Sequence, residues 1–158
     1  MKAITLTQPW ASLVSIGAKR IETRSFVTHF RGPLAIHAAQ GFPRLAQKLC
    51  ADEPFHSALC SARRPVWMLP RGAIVATCNL VACRPVKYFT LNGLVSFEEF
   101  APDLKTRIVT VDMNDQERAF GDYSEGRWAW ILEDVREICP PAQAKGALGL
   151  WNWAGMPE

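Results

Sequence analysis

No apolar run among the 158 residues is long enough to cross a bilayer. The opening stretch, Met1-Lys2-Ala3-Ile4-Thr5-Leu6-Thr7-Gln8-Pro9, is broken at once by polar side chains and a proline, unlike a secretory signal. Both features lead to the expectation of a cytoplasmic chain with no membrane partner. Basic residues form no long block; the densest spots are Lys19-Arg20 with Arg24, and Arg63-Arg64. A wide electrostatic footprint for duplex DNA is therefore not expected, although a compact anion site remains open. The five cysteines (Cys50, Cys60, Cys78, Cys83, Cys139) include no C-x-x-C pair, and His29, His37 and His56 add no ligand spacing. Reduced thiols acting as small hydrophobes are expected, with no metal and no cofactor. G-x-S-x-G, P-loop, G-x-G-x-x-G and H-E-x-x-H patterns are also missing. Their absence argues against the familiar serine hydrolases, NTPases, dinucleotide enzymes and zincins.

What is present fits one domain, residues 1–158. The chain is 49% hydrophobic and 21% charged, enough to bury a core without disulfide staples. A net charge of +3 and a pI near 8.7 permit a polyanionic partner without requiring one. No repeat, linker or low-complexity tract interrupts it.

Met1–Leu6 reads as a short strand. Pro9 to Gly17 reads as a short helix: proline in the first turn, Trp10, Leu13 and Val14 on one face, and glycine to stop it. A polar strand follows over Arg20–Phe26, and a buried one over Leu34–Ala38. Apolar spacing predicts a helix from Pro43, broken at Pro54 and resumed over Phe55–Arg64. Ala73–Cys83 is the longest strand expected, with Cys78 and Cys83 on opposite faces. Residues 84–126 carry the weakest pattern, with one strand at Arg107–Val111. Trp128–Leu132 is a strand, and Pro140-Pro141 is expected to separate it from a closing strand over Ala147–Trp153. Short strands punctuated by glycine and proline, with a few helices, favour an α+β small barrel over a doubly wound sheet.

The densest chemistry lies in Gly17-Ala18-Lys19-Arg20-Ile21-Glu22-Thr23-Arg24. Glycine ends a helix and charged residues crowd the entry to a strand. Alternation places Glu22 and Arg24 on one face, Ile21 and Thr23 on the other. Such a face either lines a polar cleft or forms a solvated edge with ordinary ion pairs.

This segment resembles the ASCH superfamily signature G-x-K-x-x-E-x-R, satisfied by Gly17, Lys19, Glu22 and Arg24. Thr7-Gln8-Pro9-Trp10-Ala11-Ser12-Leu13, Arg31–Ala38, Pro70–Val75 and Lys145–Trp151 are similar to other blocks of that family, in family order. The resemblance implies a PUA-like β-barrel of about five to six strands with flanking short helices. It also implies a cleft that recognises RNA, a nucleoside or a nucleotide. Gln8, Trp10, Lys19, Glu22, Arg24, His37 and Tyr123 are the binding residues it brings forward. Lys19 and Arg24 would meet phosphate or carbonyl oxygens, and Glu22 a base or sugar edge.

Some members hydrolyse N4-acetylcytidine, and ribonuclease activity is proposed for others; here either would use Lys19 and Glu22. The amidohydrolase set has a threonine three residues after its lysine, where this chain has Glu22. Thr23 lies one residue further and faces the opposite way. The distal glutamate of that set has four candidates: Glu98, Glu99, Glu117 and Glu125. Lysine chemistry turns on the partner of Glu22, since a carboxylate beside Lys19 raises its pKa and nearby cations lower it. His37 reads either as a cleft group or as a satisfied core residue. Most tryptophans read as core, with Trp10 the best cleft wall, and Asp122-Tyr123-Ser124 as a rim loop. A protein-interaction module with a vestigial cleft is the third reading.

Overall fold

The computed structural model describes residues 1–89, 94–100 and 106–155. Among the described residues, eight strands and four short α-helices follow in the order β1 (Lys2–Leu6), α1 (Trp10–Ser15), β2 (Ile21–Arg24), β3 (Gly32–Ala38), α2 (Arg44–Leu49), α3 (Phe55–Ser61), β4 (Ala73–Phe89), β5 (Leu94–Phe100), β6 (Thr106–Asp112), α4 (Asp115–Ala119), β7 (Trp128–Gln143) and β8 (Leu150–Asn152). Hydrogen-bonded strands follow the order β2-β7-β4-β3-β1-β8, with β5 paired to β4 and β6 paired to β5. The sheet is mixed: β1 runs parallel to β3, while β2 and β8 pair antiparallel with their neighbours. This is the expected α+β, PUA-like architecture, but among the described residues the pairing path ends at β2 and β8 and does not close into the expected small barrel.

The chain forms two compact units. The first comprises Met1–Lys19, Gly32–Asn79 and Glu133–Glu158; the second comprises Arg20–Arg31 and Leu80–Leu132. Both β4 and β7 thread through both of them.

In the first unit, α1 packs against β3 and β1 through buried Ala11, Leu13 and Val14. Pro9 sits at its start, and Gly17, at φ +75, donates to Val14 O at 2.9 Å as the chain turns out. A left-handed residue ends the helix there, which glycine adopts without the Cβ clash. A second layer joins Ala3, Ala35 and Ile74 to Ile138, Ala142, Ala144, Trp151 and Trp153. Trp151 and Trp153 therefore do pack the interior. In the second unit, Val86, Met113, Tyr123 and Ala129 form one buried core cluster, flanked by Ile21 and Ile131.

The structure departs from the sequence reading in three places. Strand β4 continues past Cys83 through Pro85 to Phe89, and β7 continues through Pro140-Pro141 to Gln143. A proline withdraws one donor from a ladder but leaves the neighbouring residues free to pair, so it is a weaker strand stop than a helix stop. In the poorly patterned stretch, read as loop or short helical pieces around one strand, β6 encloses the expected Arg107–Val111 strand and α4 is one such short helix, while β5 was not expected. The closing strand is shorter than expected, Leu150–Asn152.

Candidate functional site

The signature segment begins on α1 and ends on β2. Lys19 is completely buried, and its backbone N–H donates to Leu13 O at 3.0 Å, folding the chain back onto the end of α1. Glu22 is only 9% exposed. Charged side chains are seldom buried this deeply unless they are partnered, because an isolated ion loses its hydration without return. Both residues do interact with other groups of the protein.

Strand β2 pairs antiparallel with the start of β7, setting Glu22 opposite Trp130, Thr23 opposite Ala129 and Arg24 opposite Trp128. Opposed residues share a face, so Glu22, Arg24, Trp128 and Trp130 lie on one side of this pair. The Arg24 guanidinium reaches Glu22 Oε1 at 3.5 Å, and its centre lies 5.5 Å from the Phe26 ring centroid. Phe26 in turn meets Trp130 edge-on, with centroids 5.5 Å apart. Trp130 is fully buried, and its Nε1 has no hydrogen-bond partner among the described residues. A carboxylate, a guanidinium and two aromatic rings are thus collected on one strand face. The set can accept hydrogen bonds, meet an anion and offer π surface.

Thr23 turns to the opposite face, as alternation required. Its Oγ1 accepts the backbone N–H of Asp122 at 3.0 Å, which ties the loop before β7 to β2. Asp122 Oδ1 accepts from both N–H and Oγ of Ser124, and Oδ2 lies 3.3 Å from Arg127 Nε. The Ser124 hydrogen bonds, followed by the Arg127 charge, hold the Asp122 carboxyl below its ordinary range. Tyr123, expected at a rim, is instead only 4% exposed. Burial foremost, and then the negative charges of Glu117 and Glu22, push its phenol well above the ordinary value. It therefore remains protonated at working pH.

Of the two candidate glutamates whose side chains are described, Glu117 is the one whose carboxylate bonds the signature segment. Its Oε2 accepts from Arg20 N–H at 2.7 Å and its Oε1 from Ile21 N–H at 3.0 Å. Asn114 caps α4 by accepting from Glu117 N–H at 2.7 Å. An N-cap residue followed three positions later by glutamate is a capping-box spacing, and that signal could have located α4 from sequence. Glu125 is exposed, and the side chains of Glu98 and Glu99 lie outside the described residues. Phe26 and Arg127 are the participants that sequence reasoning missed; neither belongs to a recognisable spacing.

The remaining expected residues lie in the first unit. The Gln8 carboxamide is engaged with backbone at both ends: Nε2 donates to Pro70 O at 2.6 Å and Oε1 accepts from Ser12 N–H at 3.1 Å. Trp10 is half-buried and stands edge-on to Phe55 at 6.1 Å. His37 Nε2 bonds Ala144 O at 3.0 Å, which places the proton on Nε2, and Trp151 stands edge-on to the ring at 5.7 Å. Burial lowers the His37 pKa, partly offset by that backbone bond. Among the described residues no group of three or more His, Cys, Asp or Glu side chains could hold a metal ion. No helix of the described residues is long and apolar enough to cross a membrane.

The fold and this site define a PUA-like α+β domain with a charged signature carried from a helix end into a strand. The ASCH domain family model matches residues 4–142, and the chain belongs to that family. No curated protein matches the chain.

Proposed function

We propose that this ASCH domain binds a nucleoside, a nucleotide or a single-stranded RNA segment through Lys19, Glu22 and Arg24. The observation that carries this reading is the deep burial of two opposite charges, Lys19 and Glu22, within one short signature. A fold tolerates such a cost more readily at a site of use than on an ordinary edge. Arg24 and Lys19 supply cationic donors to phosphate or carbonyl oxygens, and Glu22 accepts from a base or sugar edge. The adjoining, partly exposed Phe26 ring, backed by buried Trp130, supplies the π surface that a base requires, worth about 1–3 kcal/mol per stacked base. The polar groups of Gln8 and His37 already bond backbone, so the reading does not draw on them.

The test is titration of a labelled single-stranded RNA at several salt concentrations, with Arg24→Ala and Lys19→Met beside wild type. Two phosphate contacts predict a slope of log affinity against log salt near −1.4, on the basis of about −0.7 per contact for single strands. Each variant should weaken binding. Wild-type protein that binds neither RNA nor any nucleoside ends this reading.

A second reading, hydrolysis of N4-acetylcytidine or of RNA, takes its support from the complete burial of Lys19 beside the signature strand, with Glu22 serving as acid/base. Release of cytidine from N4-acetylcytidine, lost in Lys19→Ala and in Glu22→Ala, would establish it. Absence of turnover at high enzyme concentration would eliminate that substrate.

A further inference from the structure

We propose that the cavity beside Tyr123 is the base pocket of this domain, taking an uncharged nucleobase whose carbonyl oxygen or ring nitrogen accepts the Tyr123 hydroxyl proton. This rests on the nucleoside- or RNA-binding reading above and adds to it where the base goes and which chemistry selects it. The cavity measures about 300 Å³ and is lined by Arg118, Gly121, Asp122, Tyr123 and Ser124. That volume is at the lower end for small-molecule sites, suited to a compact ligand.

Three independent features converge there. The first is an unused donor. Tyr123 Oη is buried and has no hydrogen-bond partner among the described residues. A buried hydroxyl without a partner carries its full desolvation cost, so native structures rarely keep one without reason.

The second is charge. Both arginines near the cavity are already committed: Arg118 pairs with Asp115, and Arg127 lies against Asp122. Asp122 is part of the wall, and the carboxylates of Glu117 and Glu22 are close enough to act on the phenol. An incoming phosphate or carboxylate would face this negative surround with no uncommitted arginine on the wall. A neutral ring meets no such penalty, and a base N–H can donate to Asp122 while a base acceptor receives from Tyr123. On the binding reading above, phosphate is met outside this cavity, which is left to read the base.

The third is space. A Cβ on Gly121 would come within 2.7 Å of Tyr123 Cε2 and 3.1 Å of its Oη. Only glycine leaves the phenol in this position, so the placing of the Tyr123 ring on the cavity wall depends on Gly121.

The experiment is calorimetric titration of the full chain with adenosine, cytidine, guanosine and uridine. Inorganic phosphate serves as a competitor, and the variants are Tyr123→Phe and Gly121→Ala. At least one nucleoside should bind, with phosphate failing to displace it. Tyr123→Phe should weaken that nucleoside roughly three- to ten-fold, the range for one neutral hydrogen bond. It should also melt no lower than wild type without ligand, because it removes an unpartnered buried hydroxyl. Gly121→Ala tests the cavity by a separate route and should weaken binding at least as much. Unchanged nucleoside affinity in both variants, or displacement of the nucleoside by phosphate, would overturn the pocket while leaving the RNA reading intact. Wild type that binds RNA but no nucleoside also overturns it, and wild type that binds neither removes both.

Discussion

The carboxylate of Glu117 accepts the backbone N–H of Arg20, the residue that follows Lys19, at 2.7 Å, and its second oxygen takes Ile21 N–H at 3.0 Å. A glutamate nearly a hundred residues away thereby sets the first turn of the signature strand. Both bonds involve an ionised acceptor, which makes them stronger than neutral ones. Among the glutamates proposed from sequence as a distal catalytic group, Glu117 thus has a positioning task on the backbone.

Glu117→Ala leaves two partly buried N–H groups without their acceptor. The expected cost is about 2–3 kcal/mol of stability, against about half that for Glu117→Gln, which retains one carbonyl acceptor. Urea unfolding of the two variants checks the order. Equal stabilities for wild type and Glu117→Ala would show that the clamp contributes nothing.

His37 gives the fold a pH dependence of definite sign. Burial lowers its pKa in the folded chain, whereas the unfolded chain protonates nearer the ordinary 6.5. Just below 6.5 the unfolded state therefore binds more protons, and stability falls as pH falls. The contribution is present above 6.5 and is lost as pH drops toward and through the folded value. Replacing His37 by Gln should flatten this part of the stability–pH curve, measured as urea midpoints. A slope that persists in the variant assigns the effect to another group.

Gly146 lies against the free edge of the His37 ring. A Cβ there would stand 2.4 Å from His37 Cε1, 2.5 Å from Nδ1 and 2.9 Å from Thr5 Oγ1. Thr5 Oγ1 already donates to Ala147 O and accepts from Trp151 Nε1, so it has little room to yield. Gly146→Ala should cost about 1–3 kcal/mol, as overpacking does elsewhere. A melting temperature unchanged from wild type would contradict the contact.

All five cysteines are free thiols, and their environments differ. Burial pushes the Cys78 thiol up to about 12 and raises Cys50 and Cys83. Cys60 and Cys139 are exposed. A thiolate is the reactive form, so mapped alkylation near neutral pH should modify Cys60 and Cys139 first, and Cys50 and Cys78 only on unfolding. Early modification of Cys78 would show that its strand opens locally.

Local pattern was sufficient for β1, α1, β3, α2 and α3. Each is announced within a few residues by apolar spacing, a leading proline or a stopping glycine, as with Pro9 and Gly17 around α1. Alternation likewise placed Glu22 and Arg24 together and turned Thr23 away, because the period of a strand is a covalent property of its backbone. Four residues of the signature stretch, Gly17, Lys19, Glu22 and Arg24, together with similar blocks in order along the chain, sufficed to point to the family. The tertiary structure decided the rest. Whether prolines 140 and 141 end β7 depends on which neighbour accepts its hydrogen bonds, and no local window contains that neighbour. The Glu117 clamp joins residues 96 and 97 positions apart. Tyr123 reads as a loop-rim residue by its glycine- and serine-rich surroundings, yet it is buried, since only the folded core brings Val86, Met113 and Ala129 around it. Periodicity acts over one or two turns of chain, whereas burial and long-range hydrogen bonds are set by the partners that folding supplies.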